Sequence, residues 1–339
     1  MIKVAAFTGG ITVPSARFRV RQYIPALYKC GVYVKEFTSV CGQYPPYNRF
    51  IRPFWAVGSL VERIPAILSS YRYDITFLQR EMISTFATLE QFTGKPRVFD
   101  VDDAIWLHRN DVFSRKLAKL SSLIICGNTF IADKFSEWND QVVIVPTAVD
   151  TTRFLPASGV QHGKDNIIIG WSGTSGNFSY LYGIEKALHN ILETNKNVLL
   201  RIVADKSPSF SRISRDKFEY IPWSSENEVQ LIQGMDIGIM PLDFSDWSKG
   251  KCSYKMLLYM ACSIPVIVTS VGMNAEVLNL GDCGYGVTAL SEWEEALQFL
   301  IENKSIRIKM GVTGREIVEK KFSVEIVSKI LYGYFLKLI

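Results

Sequence analysis

The chain has 339 residues, of which 48% are hydrophobic and 21% are charged. These fractions are typical of globular proteins and exclude a disordered or low-complexity chain, while the length predicts two domains. The 38 basic residues outnumber the 33 acidic ones, and residues 1–160 alone hold 19 basic and 13 acidic residues. All of the excess positive charge therefore lies in the first half. It favours a phosphate-bearing or membrane-surface partner there and is too small to indicate nucleic-acid binding.

The cysteines and histidines indicate neither a zinc site nor a disulfide framework. Six cysteines and three histidines are spread along the chain, and no two cysteines form a C-x-x-C pair. We therefore expect no structural metal, and reduced thiols as in the cytoplasm. The opening MIKVAAFTGG contains one short apolar run, which predicts a strand rather than a signal peptide. No apolar run approaches the roughly 18 residues of a membrane-spanning helix, so we expect none.

The chain alternates short β-rich runs with amphipathic segments, and it does so twice. In the first half we predict strands at 2–7, 32–37, 74–78, 97–101, 123–126 and 142–145, and helices at 15–30, 54–70 and 128–138. In the second half we predict strands at 167–171, 198–203, 218–221, 237–240, 266–268 and 284–287, and helices at 180–193, 226–234, 254–261, 293–302 and 305–320. A polar stretch at 156–166 separates the halves, and 322–339 forms a last amphipathic helix.

This alternation predicts an α/β protein with two doubly wound, Rossmann-like domains. Open sheets of this kind bind ligands at the carboxyl ends of their strands, so two such domains form a natural cleft for two substrates. From the pattern alone, a dehydrogenase or a periplasmic sugar receptor fits as well as any other tandem of such domains.

Four segments carry a more specific likeness. They read TGG at 8–10 with SARFRVRQYIP at 15–25, VPTAVD at 145–150, IGWSGT at 169–174, and GKCSYKMLLYMAC at 250–262 followed by IPVI at 264–267. Together they resemble glycosyltransferase family 4, the retaining nucleotide-sugar glycosyltransferases of the GT-B fold. The likeness extends over nearly the whole chain and is most specific at the junction and at YMACSIPV, residues 259–266.

The resemblance implies the GT-B architecture, with two Rossmann-like domains facing a central cleft. Residues 1–155 would form the acceptor-side domain, 156–321 the nucleotide-sugar-binding domain, and 322–339 a helix that crosses back to the first domain. It also implies a metal-independent hexosyltransferase that uses a nucleoside-diphosphate sugar as co-substrate and no other cofactor. The acceptor would be a saccharide or a lipid-linked molecule in surface polysaccharide biosynthesis, and the enzyme would act in the cytoplasm at the inner face of the plasma membrane.

Donor binding requires groups that offset the negative charge of a diphosphate, which main-chain N–H groups at turns and helix N-termini supply. Two turns of the second domain qualify, one after its first strand and one before the helix at 254–261. With the resemblance, the residues assigned to the donor are Gly9, Gly10, Ser172, Gly173, Thr174, Trp223, Gly250, Lys251, Ser253, Tyr254 and Lys255. The alternatives are ordinary strand-to-helix connections, solvated lysines and a tryptophan packed in the core.

The sequence departs from the family pattern at the donor site. Many members carry two glutamates eight positions apart, and the matching positions here are Gly250 and Leu258. A basic pair usually follows the first strand of the second domain, where this chain has Ser172 and Thr174. Lys251 is then the expected substitute cation.

Asp102 and Asp103 follow the fourth predicted strand, where family members place a sugar-contacting residue. The resemblance assigns them to the catalytic centre without a protein nucleophile, because the leaving phosphate acts as the base. A divalent-ion site and a plain helix cap are the alternatives. We assign Arg17, Arg19 and Arg80 to the acceptor or a phosphate, and the alternative for the first two is a solvated basic face.

The segment 44–55, YPPYNRFIRPFW, mixes aromatic residues with arginine. This composition suits contact with anionic lipid headgroups, and the alternative is an ordered proline-rich loop over the core.

Two other functions stay open. The missing glutamates at Gly250 and Leu258 are also consistent with a non-catalytic GT-B subunit that supports an active partner. A UDP-sugar epimerase of the same fold is less consistent with the junction and the arginine-rich helix.

Overall fold

A computed structural model describes residues 1–157 and 166–339, so the predicted boundary at 156–166 lies almost entirely outside the described residues. Contacts divide the chain into two units. Unit 1 comprises Met1–Ala148, Lys249–Cys252 and Val324–Ile339, and unit 2 comprises Val149–Ser248 and Ser253–Ser323.

Unit 1 is built on a parallel six-stranded sheet. Its strands are β1 (Ile2–Thr8), β2 (Val32–Thr38), β3 (Ile75–Gln79), β4 (Arg97–Val101), β5 (Leu123–Cys126) and β6 (Val142–Ile144), in the order β2-β1-β3-β4-β5-β6. Its first helices are α1 (Pro14–Arg19), α2 (Ile24–Lys29), α3 (Arg52–Ser70), α4 (Val112–Leu120) and α5 (Thr129–Ser136). The central strands β3, β4 and β5 are buried along their whole length, since helices cover both faces of the sheet.

Unit 2 repeats this design. Its strands are β7 (Ile167–Ser172), β8 (Val198–Ala204), β9 (Phe218–Pro222), β10 (Ile237–Met240), β11 (Val266–Thr269) and β12 (Gly284–Val287), in the order β12-β11-β10-β7-β8-β9. The helices that follow α5 along the chain are α6 (Phe178–Gly183), α7 (Glu185–Thr194), α8 (Glu228–Gln233), α9 (Asp246–Lys249), α10 (Tyr254–Ala261), α11 (Met273–Leu278), α12 (Leu290–Glu302), α13 (Lys304–Ile317) and α14 (Val324–Leu336). The prediction of two doubly wound parallel sheets is confirmed.

The helix predicted at 15–30 is interrupted. Val20 leaves helical geometry, with φ −131° and ψ −65°, and a 3₁₀ turn at Arg21–Tyr23 separates α1 from α2. Pro25 lies in the first turn of α2, where its missing N–H costs no helical hydrogen bond. The sequence did not predict α4, α9 or α11.

The last helix belongs to unit 1, as the resemblance implied. Val327, Leu331 and Phe335 of α14 are buried in the unit 1 core, and the Phe335 ring meets that of Phe77 edge-on with centroids 6.1 Å apart. The segment Lys249–Cys252, predicted in the second domain, also belongs to unit 1. The Asn128 side-chain amide holds it there by donating to the carbonyls of Lys249 (3.1 Å) and Lys251 (3.0 Å). Across the described ranges, no helix is both long and apolar enough to cross a membrane.

Candidate functional site

Four predicted site residues form an ion cluster in unit 1, consisting of Arg80, Asp102, Asp103 and Lys251. Arg80 Nε lies 2.5 Å from Asp102 Oδ1, and Arg80 Nη2 also pairs with Asp103 Oδ2. Lys251 Nζ lies 3.6 Å from Asp103 Oδ1. Arg80 follows β3 and the aspartates follow β4, so the cluster lies at the carboxyl edge of the sheet, where ligands bind in folds of this class. Its two cations balance its two anions.

Close packing holds the segment with Lys251 against the aspartates. A Cβ on Gly250 would lie 2.6 Å from Ala104 Cβ and 2.7 Å from Ala104 N, so no larger residue fits there. Cys252 Sγ contacts the Asp102 carbonyl oxygen at 3.0 Å. This explains one departure from the family pattern, because a glutamate at position 250 would collide with the main chain after β4.

Burial and charge act on the residues at the end of β3. Burial alone would lower the pKa of Arg80, but the two aspartates raise it above its ordinary value, so Arg80 remains charged. Burial raises the pKa of the neighbouring Glu81 to about 7, because Arg80 offsets only part of the cost of removing this carboxylate from water. Sequence reasoning did not single out Glu81.

Arg19 is not on an acceptor-binding surface, which corrects the prediction. Its side chain is 2% exposed, and Nη2 lies 2.5 Å from Asp100 Oδ1. Nη1 donates to the Val145 carbonyl at 2.9 Å and to Thr147 Oγ1 at 3.2 Å. Arg19 therefore joins α1 to β4 and to the chain after β6 inside unit 1. Arg17, on the same helix, is half-buried, with its guanidinium 4.5 Å from the Phe18 ring centroid.

Gly9 and Gly10 follow β1 in unit 1, and both are buried. A Cβ on Gly9 would lie 2.4 Å from Gln43 Oε1, so a larger residue at position 9 would require the Gln43 side chain to move. Within the described residues, Gln43 Oε1 and both polar atoms of the Gln79 side chain are buried without a hydrogen-bond partner. Neither glutamine was predicted as a site residue, since a single glutamine gives no distinct sequence signal.

In unit 2, the turn after β7 does not present all the main-chain donors that the sequence predicted. The Ser172 N–H donates to Tyr259 Oη (2.8 Å) and the Gly173 N–H donates to the Val203 carbonyl (3.0 Å). The Ser175 N–H donates to Asp205 Oδ1 at 2.6 Å. These three groups serve the fold, and Thr174 is the exposed residue among those predicted in this turn.

The structure instead brings Lys255 to the end of β7. A Cβ on Gly173 would lie 2.6 Å from Lys255 Cε and 2.7 Å from Trp171 Cη2. Lys255 Nζ is 6.0 Å from the centroid of the Trp171 ring. Gly173 thus forms a backbone cradle for a lysine side chain, and the predicted Ser-Gly turn and the predicted Lys255 lie together within unit 2.

A buried hydrogen bond between Ser253 and Asn274 fixes the residue before α10. Ser253 is buried with a left-handed backbone (φ 50°), and its hydroxyl donates to Asn274 Oδ1 at 2.7 Å instead of capping α10. The first N–H groups of a helix lack intrahelical partners, so the half-buried Tyr254 and Lys255 begin a turn that favours anions. Leu258 is buried in the same helix, so the second departure from the family pattern lies in the core.

Trp223 follows β9, the edge strand of the unit 2 sheet, and is 41% exposed, so it is not packed in the core. Its Nε1 donates to Glu228 Oε1 at 3.1 Å, and Arg153 Nη2 lies 3.3 Å from the other carboxylate oxygen. Sequence reasoning missed Glu228, as it missed Tyr259 and Asn274. The only sequence signal for Glu228 and Tyr259 is that they lie close along the chain to predicted site residues, and Asn274 lacks this signal.

The described residues contain no group of three or more His, Cys, Asp or Glu side chains placed to hold a metal ion. Metal independence stays a prediction.

Comparisons with known proteins bear on the fold. The family model described as Glycosyl transferases group 1 matches residues 168–303. Sucrose-phosphate synthase from Thermosynechococcus elongatus superposes with a TM-score of 0.76 at 15% identity, covering 100% of this chain and 99% of that one. Anabaena Alr3699/HepE, solved with UDP and glucose, gives 0.70 at 13% identity over 100% of both chains. WaaG, a glycosyltransferase involved in lipopolysaccharide biosynthesis, gives 0.70 at 11% identity, covering 98% and 99%.

The chain has the GT-B fold. A search of curated proteins found no match. The resemblance to GT-B glycosyltransferases is confirmed, and the narrower assignment to family 4 stays a prediction. Identities of 15% and below establish the GT-B fold and do not establish the donor, the acceptor or the reaction.

Proposed function

We propose that the protein is a retaining glycosyltransferase that moves a hexose from a UDP-sugar to a saccharide or lipid-linked acceptor in surface polysaccharide biosynthesis. The match of residues 168–303 to Glycosyl transferases group 1 supports the reaction class. The complexes of Alr3699/HepE with UDP and with UDP-glucose support uracil as the base of the donor.

One observation carries the proposal, namely the position of Lys255 at the carboxyl end of β7 beside Gly173. The leaving diphosphate gains negative charge as the bond between its oxygen and the sugar breaks. An ammonium group and the N-terminus of α10 stabilise that charge without supplying a nucleophile. The acceptor oxygen then bonds to the same face of the sugar, and its proton passes to the departing phosphate. In unit 1, Arg80 holds Asp102 and Asp103, and their assignment to sugar hydroxyls stays a prediction of the resemblance.

The test is binding of UDP, measured by calorimetric titration of the wild type and of Lys255→Met. We expect Lys255→Met to bind UDP roughly 10- to 100-fold more weakly than the wild type, because a hydrogen bond to a charged group usually contributes this much. The matched control is Lys309→Met, on the exposed side of α13, which should bind UDP as the wild type does. Equal affinities for all three proteins would exclude Lys255 from the donor site.

A second measurement separates the alternatives. Incubation with UDP-sugars and candidate saccharides should release UDP and form a glycosylated product. UDP binding without release would support a non-catalytic subunit, which the residues at Gly250 and Leu258 favour. Interconversion of UDP-sugars without an acceptor would support an epimerase.

A further inference from the structure

Helix α3 faces the wrong way for a helix on the surface of a soluble domain. Such a helix normally turns its apolar stripe inward and its polar residues to water. The residues that α3 buries are Ser59, Arg63, Ile67 and Ser70, three of them polar. The helix is therefore inverted, with its charged and hydroxyl side chains toward unit 1.

The opposite face of α3 carries a continuous apolar stripe, which we call the α3 stripe: Phe54, Val57, Val61, Ile64 and Leu68. These residues recur at alternating intervals of three and four, so they lie along one side of a helix of 19 residues, roughly 28 Å long. Each is between 47% and 79% exposed. Exposed Phe50 and Ile51 extend the stripe before the helix begins. An exposed apolar surface of this length marks an interaction site.

Polar contacts fix this orientation. Arg63 Nη1 donates to the Phe37 carbonyl at 2.9 Å, and Nη2 donates to the Thr8 carbonyl at 2.7 Å. Glu62 accepts hydrogen bonds from the Ser39 hydroxyl and from the N–H groups of residues 40 (3.1 Å) and 41 (2.9 Å). Rotating α3 to bury the stripe would break all of these bonds and leave polar groups unpaired, so the stripe is held outward.

The charged residues around the α3 stripe indicate what kind of partner it binds. Residues 1–72 contain ten Lys and Arg but two Asp and Glu. Of these two acids, Glu36 is paired with Arg21 and Glu62 is held as described. No exposed residue from 49 to 72 is acidic, while Arg49, Arg52 and Arg72 are exposed at the two ends of the stripe. Two copies joined along the stripe would bring arginines together in either the parallel or the antiparallel arrangement, which disfavours a homodimer.

We propose that the α3 stripe inserts into the headgroup region of an anionic lipid bilayer, with α3 parallel to the membrane surface and the flanking arginines on lipid phosphates. The sequence analysis assigned lipid contact to segment 44–55, which includes only the first turn of α3, and the stripe extends that contact along the whole helix. The proposal goes beyond the proposed transfer reaction and does not depend on it. Apolar burial and attraction to anionic headgroups together set the strength of such binding.

The test is flotation of the full chain with vesicles of phosphatidylcholine alone or with about one third phosphatidylglycerol, enough to give a strongly negative surface. We expect binding to the anionic vesicles that weakens as salt is raised. Val61→Glu/Leu68→Glu should reduce it at least about tenfold, because it places charge in the bilayer. The control, Ile308→Glu/Val312→Glu, changes residues of α13 that are 56% and 49% exposed and should float as the wild type does.

Thermal denaturation verifies that both double variants are folded. Arg49→Gln/Arg72→Gln should bind anionic vesicles about tenfold or more weakly, since each basic residue near the surface contributes to the attraction. The proposal would be overturned if the wild type did not float with anionic vesicles. It would also be overturned if Val61→Glu/Leu68→Glu floated as well as the control Ile308→Glu/Val312→Glu. A wild-type dimer in light scattering that Val61→Glu/Leu68→Glu converts to a monomer without any vesicle binding would overturn it too, since the stripe would then be occupied by a second copy.

Discussion

At the scale of single residues, burial and charge oppose each other at Glu81. It follows Arg80 at the end of β3, and burial raises the pKa of its carboxyl from 4.5 to about 7. A carboxyl with a raised pKa binds its proton more tightly in the folded state than in the unfolded chain. Between these two values the folded state therefore holds more protons, and the free energy of unfolding falls as the pH rises. Above about pH 7 this loss is complete.

We expect Glu81→Gln to remove this pH dependence. Relative to the variant, the wild type should lose on the order of 3 kcal/mol of unfolding free energy between pH 4.5 and pH 7.5. Urea denaturation at a series of pH values measures the difference. Glu193→Gln, an exposed position on α7, is the control and should follow the wild type. A constant offset between wild type and Glu81→Gln at every pH would show that Glu81 titrates normally.

At the scale of elements, α3 and α14 show what a hydrophobic pattern cannot predict. Both were predicted as amphipathic helices, and both exist. Yet α14 turns its apolar side into the unit 1 core, and α3 turns its apolar side outward. Periodicity gives the position of a stripe on a helix but not its direction, which here depends on the carbonyl groups that Arg63 reaches.

The inward side of α14 should be essential to unit 1. Phe335 is buried against the sheet, so Phe335→Ala should lower the free energy of unfolding by about 3–5 kcal/mol, combining lost transfer energy with a cavity. Leu336, the next residue of the same helix, is half exposed, and Leu336→Ala should cost less than about 1 kcal/mol. Urea denaturation of the two variants measures both values. Similar costs would mean that α14 lies loosely on unit 1.

At the scale of the whole molecule, the strand-helix alternation was sufficient to predict two doubly wound sheets, because short apolar runs alternate with amphipathic segments along both halves of the chain. The site was predicted only in part. Arg80, Asp102 and Lys251 were each identified from the sequence, but their meeting in one ion cluster depends on tertiary packing of the segment at 249–252. Arg19 was misjudged because a buried ion pair and a solvated basic face have the same sequence signature.

The two proposals assign different ligands to different units, and hydrogen exchange of the full chain measures both. UDP should slow exchange in unit 2 at the turn after β7 and the start of α10, by up to about 100-fold at a hundred times its dissociation constant. Anionic vesicles should slow exchange at 49–72 and leave those unit 2 segments unchanged. Lys255→Met should weaken only the first effect, by about 10-fold or more, and Val61→Glu/Leu68→Glu should weaken only the second. If UDP did not slow hydrogen exchange at the turn after β7 and the start of α10, the donor site would lie elsewhere, and the result with vesicles would not change this conclusion.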